Sequence, residues 1–526
     1  MEPADPGHAN RRGRAIIALG VAAAVLLPVL SKRAAGPAFA QTRTASKSVR
    51  RTPPAPGGIP YVKRKMARHL RDACIRKSRV GIRIFSLKSR EVLFDLRGDE
   101  QFIPASNVKV LTTATAFHYL KPDYKFKTNV YTTGRFSAGR LSGSLYLKGF
   151  GDPSLVNEEL WILVRTLKRR GLREVRGDIV VDDRYFDNER FVPGTNGGQG
   201  LRPFQAPHGA ASLNFNTLGV YVEPNAVVGK PPRAVVEPAS SYVQLINNAN
   251  TVHRRRKASI RLRRAAHADG DLLILEGRIP AGSRPRRFWI NITTPTLYLG
   301  HTFREFLEWE GIKVNGEVRR GKIPPAARVL TSHKSKPLAI ILWDLNKWSN
   351  NFIAEQVLKT LGAEIMGAPG TRRKGIAVVN RYMKRLGYGA GSFVVDDGAG
   401  LSRKNRISPA QFVRVLTDMY DDIRFRPEFV ASLAVMGVDG SVKNRLDNTE
   451  AERRIRAKTG TLNGVDTLSG YAFSLAGDII AFSILMNRSR CSHWRMRRLQ
   501  DRITLDLVRL DRRAVARKRP SRRRTP

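Results

Sequence analysis

Ser106 and Lys109 stand three residues apart in the stretch Pro104-Ala-Ser-Asn-Val-Lys109, where a proline suits the first turn of a helix. Residues i and i+3 of a helix share a face, so the lysine amine can reach the serine hydroxyl. Serine becomes a useful nucleophile only when an adjacent base takes its proton, and lysine is a base only when neutral. Moving a lysine pKa from about 10.4 to about 7 costs roughly 4–5 kcal/mol, which burial and a second nearby cation can impose. Two further groups would serve such a nucleophile. Ser349-Asn350-Asn351 begins another helical stretch, and Lys458-Thr459-Gly460-Thr461 reads as an exposed strand, whose glycine permits close backbone approach. Taken singly, each has a plain structural explanation: a helix start with a solvated lysine, an N-cap pair, and a surface turn.

The elements that must position these residues follow from local pattern. Helical periodicity from Val62 to Cys74 leads into strands over Val80–Ser86 and Glu91–Leu96, then a helix from Ala105 to Leu120. Residues 125–190 hold short alternating strands around one helix near Asn157–Arg170, and 204–297 is rich in strands and turns. Helices return at His301–Glu310, Ser349–Leu361, 372–386 and 409–420. Strands at about 453–459 and 467–487 precede a last helix near 493–510. This order predicts an α/β domain whose two halves are separated by a largely β insertion.

S-x-x-K, S-x-N and K-T-G in that order are the motif set of penicillin-binding proteins and β-lactamases. On these residues the chain resembles that superfamily of active-site serine enzymes. Ser106 and Ser349 lie 243 residues apart, far more than a compact β-lactamase domain needs. The long insertion resembles that of the class C low-molecular-mass penicillin-binding proteins, the D-alanyl-D-alanine carboxypeptidases/endopeptidases. Gly149–Leu155, Gly177–Phe186 and Asp397–Arg403 add matches, and the resemblance spans roughly 60–510. It implies an α/β (α+β) serine transpeptidase/β-lactamase-like domain with a large, mainly β insertion forming two further domains. The corresponding division is 1–40 signal peptide, 41–58 linker, 59–124 and 333–510 transpeptidase-like domain, 125–203 and 298–332 domain II, 204–297 domain III, and 511–526 basic tail.

The resemblance also implies roles. Ser106 would be the nucleophile and Lys109 its base, one lysine acting neutral while the other, Lys458, acts as a charged clamp. Ser349 would relay a proton to the leaving group, and Asn351 would position the scissile amide and Lys109. Lys458, Thr459 and Thr461 would hold the terminal carboxylate of a peptidoglycan stem peptide, with Gly460 between them. The amides of Ser106 and Thr461 would form an oxyanion hole. Asp182, Phe186, Arg403 and Asn463 match positions that recognise the diamino acid of the stem, although Asp182 and Arg403 are equally suited to structural ion pairs. Two departures stand out: the usual D-G-S-G is Asp397-Gly-Ala399-Gly here, and position 463 is Asn where a longer Gln can occur. β-Lactam antibiotics would be covalent inhibitors. No metal or cofactor is implied, and no H-E-x-x-H occurs. The first and last helices of this architecture pack together, which would bring Cys74 close to Cys491 and leaves open whether they are bonded.

Charge and termini complete the picture. The chain has 526 residues, 93 Lys+Arg against 44 Asp+Glu, and a formal charge of +49. With +7 in residues 1–52 and +8 in residues 509–526, +34 stays on the body. Such a balance calls for an anionic partner. Arg11, Arg12 and Arg14, the apolar run Ala15–Leu30 and Ala38-Phe-Ala40 have the order of a secretory signal cleaved after Ala40, with a retained anchor as the alternative. A periplasmic or cell-envelope location argues against nucleic acid and makes anionic wall or outer-membrane polymers candidate partners. Residues 254–264 hold seven Lys/Arg in 11 positions and predict a basic strand, either a solvated edge or a polymer-docking stripe. Two competing readings stay open at this level. One is a β-lactamase or esterase on the same scaffold; the other is a non-catalytic, basic wall- or nucleic-acid-binding protein.

Overall fold

A six-stranded antiparallel sheet organises the part of the molecule that holds Ser106, Ser349 and Lys458. Its order is Ala434–Val435, Ile455–Leu462, Val465–Phe473, Ile479–Asn487, Arg79–Ser86 and Glu91–Leu96. The structure is a computed structural model that describes residues 59–192, 200–265, 267 and 270–510. The expected signal peptide, the linker and the basic tail lie outside the described residues.

Alternation along the central strands divides the core in two. From Ile479–Asn487, Ile480, Phe482, Ile484 and Met486 face one layer, where they meet Tyr61, Val62 and Met66 of the first helix (Ile59–Leu70) and Met496, Leu499 and Ile503 of the last (His493–Val508). Ala481 and Leu485 face the other layer, with helices Val108–Leu120, Asn351–Met366, Arg372–Arg385 and Pro409–Asp421. Val108–Leu120 is buried almost all round, as a helix inside a core must be. Cys74 and Cys491 form a disulfide with Cα atoms 5.8 Å apart, joining the first turn after the opening helix to the start of the last.

The insertion holds its own apolar core. A five-stranded sheet (Val318–Arg320, Ile179–Asp182, Leu145–Gly149, Lys127–Thr132, Arg328–Lys334) shares that core with two three-stranded sheets containing Thr217–Glu223 and Asp271–Pro280. The basic stretch contributes the edge strand Arg261–Ala265. Its stripe is only partly free, because Arg263 pairs with Glu276, and Arg264 lies 3.3 Å from Asp271.

Two element expectations need correction, and one helix had none. The helix expected at 301–310 begins at Pro295, whose fixed φ suits a first turn. A helix, Leu338–Trp348, stands in front of Ser349; its opening run LAIIL is too short for periodicity to separate strand from helix. The expected run 467–487 is two strands broken by a turn at Gly477, whose φ is +77°.

Candidate active site

Ser106 lies in a single 3-10 turn, Ala105–Asn107, that feeds directly into the buried helix Val108–Leu120. Two close backbone approaches pin this turn. A Cβ on Gly460 would stand 2.3 Å from Thr467 Oγ1 and 2.9 Å from Ser106 N, so only glycine lets the Lys458 strand lie against the serine. A Cβ on Gly400 (φ +83°) would stand 1.9 Å from the Ala105 carbonyl, which closes the opposite side. Thr467 Oγ1 donates to the Pro104 carbonyl at 2.9 Å, and Asn107 Nδ2 donates to Ser469 Oγ at 2.6 Å, tying the turn to the sheet.

Lys109 is fully buried. Its Nζ lies 3.1 Å from Ser106 Oγ, 2.7 Å from Asn351 Oδ1 and 2.5 Å from the Ala399 carbonyl. Burial pushes this lysine down to about 7, against the opposing pull of Asp397 and Glu355. The geometry then decides where the lone pair points. A neutral amine has two hydrogens, and the Asn351 and Ala399 oxygens are pure acceptors that take both. The remaining direction faces the Ser106 hydroxyl.

Glu355 lies one helical turn beyond Asn351 and is also fully buried. Its Oε1 accepts the amides of Gly398 (2.8 Å) and Ala399 (2.7 Å). Burial and the neighbouring Asp397 push Glu355 up to about 8. Asp397 in turn accepts the amides of Gly400 and Ser402, both at 2.6 Å, and Nδ2 of Asn405 at 2.9 Å. These carboxylates shape the turn that presents the Ala399 carbonyl to Lys109. The missing hydroxyl of D-G-A-G therefore leaves this contact untouched, because the backbone makes it.

Ser349 ends helix Leu338–Trp348 in a left-handed conformation (φ 59°, ψ 39°). The cap of the next helix is Asn350, whose Oδ1 accepts the Ile353 amide at 3.1 Å. Capping thus falls to the middle residue and leaves Ser349 and Asn351 facing the site. Lys458, also fully buried, donates to Ser349 Oγ and to the Thr459 carbonyl, each at 2.8 Å. Burial first, and the charge of Lys109 second, hold Lys458 well below its ordinary value. Thr459 Oγ1 donates to Ser441 Oγ at 2.8 Å, while Thr461 is exposed. The insertion completes the pocket: Asn351 Nδ2 approaches the Phe204 carbonyl at 3.5 Å. A 440 Å³ cavity runs between Phe204, Phe215 and Trp289 on one side and Ser349, Asn351 and Phe352 on the other.

The structure therefore brings Ser106, Lys109, Ser349, Asn351 and Lys458 together. The four residues expected at the stem's diamino acid divide into two pairs. Arg403 Nη2 donates to the Asn463 carbonyl at 2.5 Å, and Asn463-Gly464 forms the two-residue turn at the end of the Lys458 strand. Asp182 is fully buried, held by the Arg184 guanidinium at 2.8 Å and by the amides of Arg184 and Ile323. Phe186 is buried beside Tyr185 and Lys359. None of the hydrogen bonds or ring contacts of Asp182 and Phe186 reaches a motif residue. Glu355, the Ala399 carbonyl, Ser441 and Phe204 were not singled out from sequence. Only Glu355 had a usable signal, its i+4 spacing from Asn351.

Comparison with known proteins agrees with this geometry. Residues 62–505 match the family described as "D-Ala-D-Ala carboxypeptidase 3 (S13) family". The chain is 32% identical over 502 residues to a D-alanyl-D-alanine carboxypeptidase of Actinomadura sp. (strain R39), covering 92% of this chain and 89% of that one. It is 25% identical to the D-alanyl-D-alanine carboxypeptidase DacB of Haemophilus influenzae, over 78% of this chain and 85% of that one. The crystal structure of penicillin binding protein 4 from Haemophilus influenzae superposes with a TM-score of 0.72 at 23% identity, covering 85% of this chain and 98% of that one. A serine and a buried lysine in contact, a second lysine on the facing strand and this likeness over most of the chain lead to one conclusion: the chain belongs to the D-Ala-D-Ala carboxypeptidase 3 (S13) family.

Proposed function

We propose that this serine-type carboxypeptidase hydrolyses D-alanyl amide bonds of peptidoglycan stem peptides through an ester on Ser106. The carrying observation is the buried Lys109, pushed down to about 7, with two acceptors on its hydrogens and Ser106 Oγ in its third direction. Lys109 takes the hydroxyl proton as Ser106 Oγ attacks the D-alanyl carbonyl. The Ser106 amide and the Gly460–Thr461 backbone beside it stabilise the oxyanion. Ser349, in contact with Lys458, relays the proton taken by Lys109 to the departing amine, which leaves Lys109 neutral again for the water step. Lys458, Thr459 and Thr461 receive the terminal carboxylate, and that anion restores the Lys458 charge which burial disfavours. Water then cleaves the ester. A β-lactam presents a similar carboxylate and amide and stops at the ester. We assign Arg403 and Asn463, joined at the turn that ends the Lys458 strand, to the diamino acid side chain, whereas Asp182 and Phe186 are held by partners within the insertion and by Lys359.

The test is labelling with a fluorescent penicillin. Wild type acquires one label per chain and Ser106→Ala none; an unlabelled wild type overturns the reading. A β-lactamase would instead shed its label rapidly. Glu355 offers no support for that option, since its carboxylate is engaged by two amides behind Lys109.

We further infer export to the periplasm or cell envelope after cleavage at Ala40, in keeping with a disulfide that persists in an oxidising compartment. Mass analysis of the mature chain, starting at Gln41 or at Met1, decides this. The basic body, including exposed Arg254, Arg255 and Arg256, suits anionic envelope polymers. Neutralising these three residues should weaken salt-sensitive binding to sacculi; unchanged binding would refute it.

A further inference from the structure

The strand Ile455–Leu462 has two faces. Lys458 and Gly460 are buried toward Ser349 and Ser106, whereas Thr459 and Thr461 point outward. On the outward side a 770 Å³ cleft opens between the segment around Gly440–Asp447 and the last helix. Two hydrogen bonds join it to the threonines: Thr459 Oγ1 to Ser441 Oγ at 2.8 Å, and Arg497 Nη2 to Thr461 Oγ1 at 3.4 Å. Five cations and two aspartates line the cleft. Arg445 is committed to Asp501, and Arg502 to Asp72. Among the described residues, no ion pair engages Lys443 or Arg498; the Arg498 guanidinium lies 4.7 Å from the ring centre of Trp494, which is 62% exposed.

Leaving-group chemistry gives this cleft a purpose. Trimming a terminal D-alanine releases a single residue whose carboxylate ends at Thr459 and Thr461. Cutting a cross-link releases an amine belonging to a second stem peptide, which continues past the threonines and carries further carboxylates. We propose that the cleft binds this carboxylate-bearing acceptor stem, with Lys443 and Arg498 as its specificity residues, so that the enzyme favours cross-linked substrate. The inference rests on the DD-peptidase reading above. In the step concerned, the D-alanyl acyl group passes to Ser106 Oγ, the amide bond to the second stem breaks, and its amine leaves with the proton relayed through Ser349. Water then releases the acyl group.

The experiment compares wild type with Lys443→Ala/Arg498→Ala on two purified substrates, a monomeric pentapeptide and a cross-linked dimer. Each partly screened cation–carboxylate contact is worth roughly two- to fivefold, so kcat/KM on the dimer should fall about tenfold. About 0.5 M salt should reduce the wild-type preference for dimer by a similar factor. Pentapeptide hydrolysis and fluorescent-penicillin labelling should change less than about twofold. Equal losses on both substrates, or no loss on either, would overturn the assignment. So would weakened sacculus binding with intact dimer cleavage, which would mark the cleft as a polymer-docking surface. Penicillin labelling of wild type reports separately on the DD-peptidase reading.

Discussion

A lysine that titrates near 7 imposes a specific pH dependence on acylation. Burial lowers Lys109 to about 7, and only its neutral form accepts the Ser106 proton. With one controlling ionisation, about one tenth of the enzyme is competent at pH 6 and about nine tenths at pH 8. The second-order rate of penicillin acylation should therefore rise about tenfold between these values and level off above pH 8. A lysine at the ordinary value of about 10.4 would give about a hundredfold rise over the same interval, with no plateau. Stopped-flow labelling across pH 5.5–9 distinguishes the two. A flat profile, or one climbing linearly beyond pH 9, refutes Lys109 as the base. Stability provides a second readout. Holding the lysine near 7 when the unfolded chain keeps it near 10.4 costs roughly 4–5 kcal/mol. The sign follows: folding releases a proton, so the penalty is complete below pH 7 and disappears as pH rises toward 10. Lys109→Met removes that penalty but leaves the Asn351 and Ala399 oxygens without their donor, at about 1–3 kcal/mol each. It should abolish labelling, and its stability relative to wild type should be highest below pH 7 and fall steadily toward pH 9.

Three further perturbations test the supporting structure. Gly460→Ala places a methyl group 2.9 Å from Ser106 N; labelling should fall at least about a hundredfold and stability by about 1–3 kcal/mol, read by rate and Tm. Glu355→Leu leaves the amides of Gly398 and Ala399 without their acceptor and should cost about 2–3 kcal/mol along with most acylation, whereas Glu355→Gln keeps an acceptor and should restore much of both. Cys74→Ser/Cys491→Ser should lower stability by about 2–4 kcal/mol in denaturant titration, while the labelling rate at 25 °C stays within about twofold, since neither cysteine contacts Ser106, Lys109, Ser349, Asn351 or Lys458.

What could be read in the sequence follows the range over which its signals act. Ser106 and Lys109 lie within one turn, and Lys458 to Thr461 within one strand, so their local spacing already contains the relevant contacts. The helices Asn157–Arg169, Arg372–Arg385 and Pro409–Asp421 carry strong periodicity and begin near their expected positions. Signals were weak where long-range packing decides. Nothing local says that Ser441 will meet Thr459, or that Phe204 will cross to Asn351 from 147 residues away. Asp182 shows the converse. Its motif match suggests contact with substrate, but burial and Arg184 commit its carboxylate within the insertion.

The contact between Lys109 and the Ala399 carbonyl bears on how this site responds to mutation. One of the two oxygens that orient the Lys109 amine, the proposed base, belongs to the main chain, at a position whose side chain is a single methyl group. Alanine scanning cannot remove that oxygen, and because Ala399 is itself fully buried, a larger side chain there would act on it only indirectly, by overpacking the turn. Sensitivity is displaced instead to Glu355 and Asp397, both buried behind the turn they hold. A mutational map would therefore report this main-chain contact only through packing at 399 and through the two carboxyl positions one layer behind it.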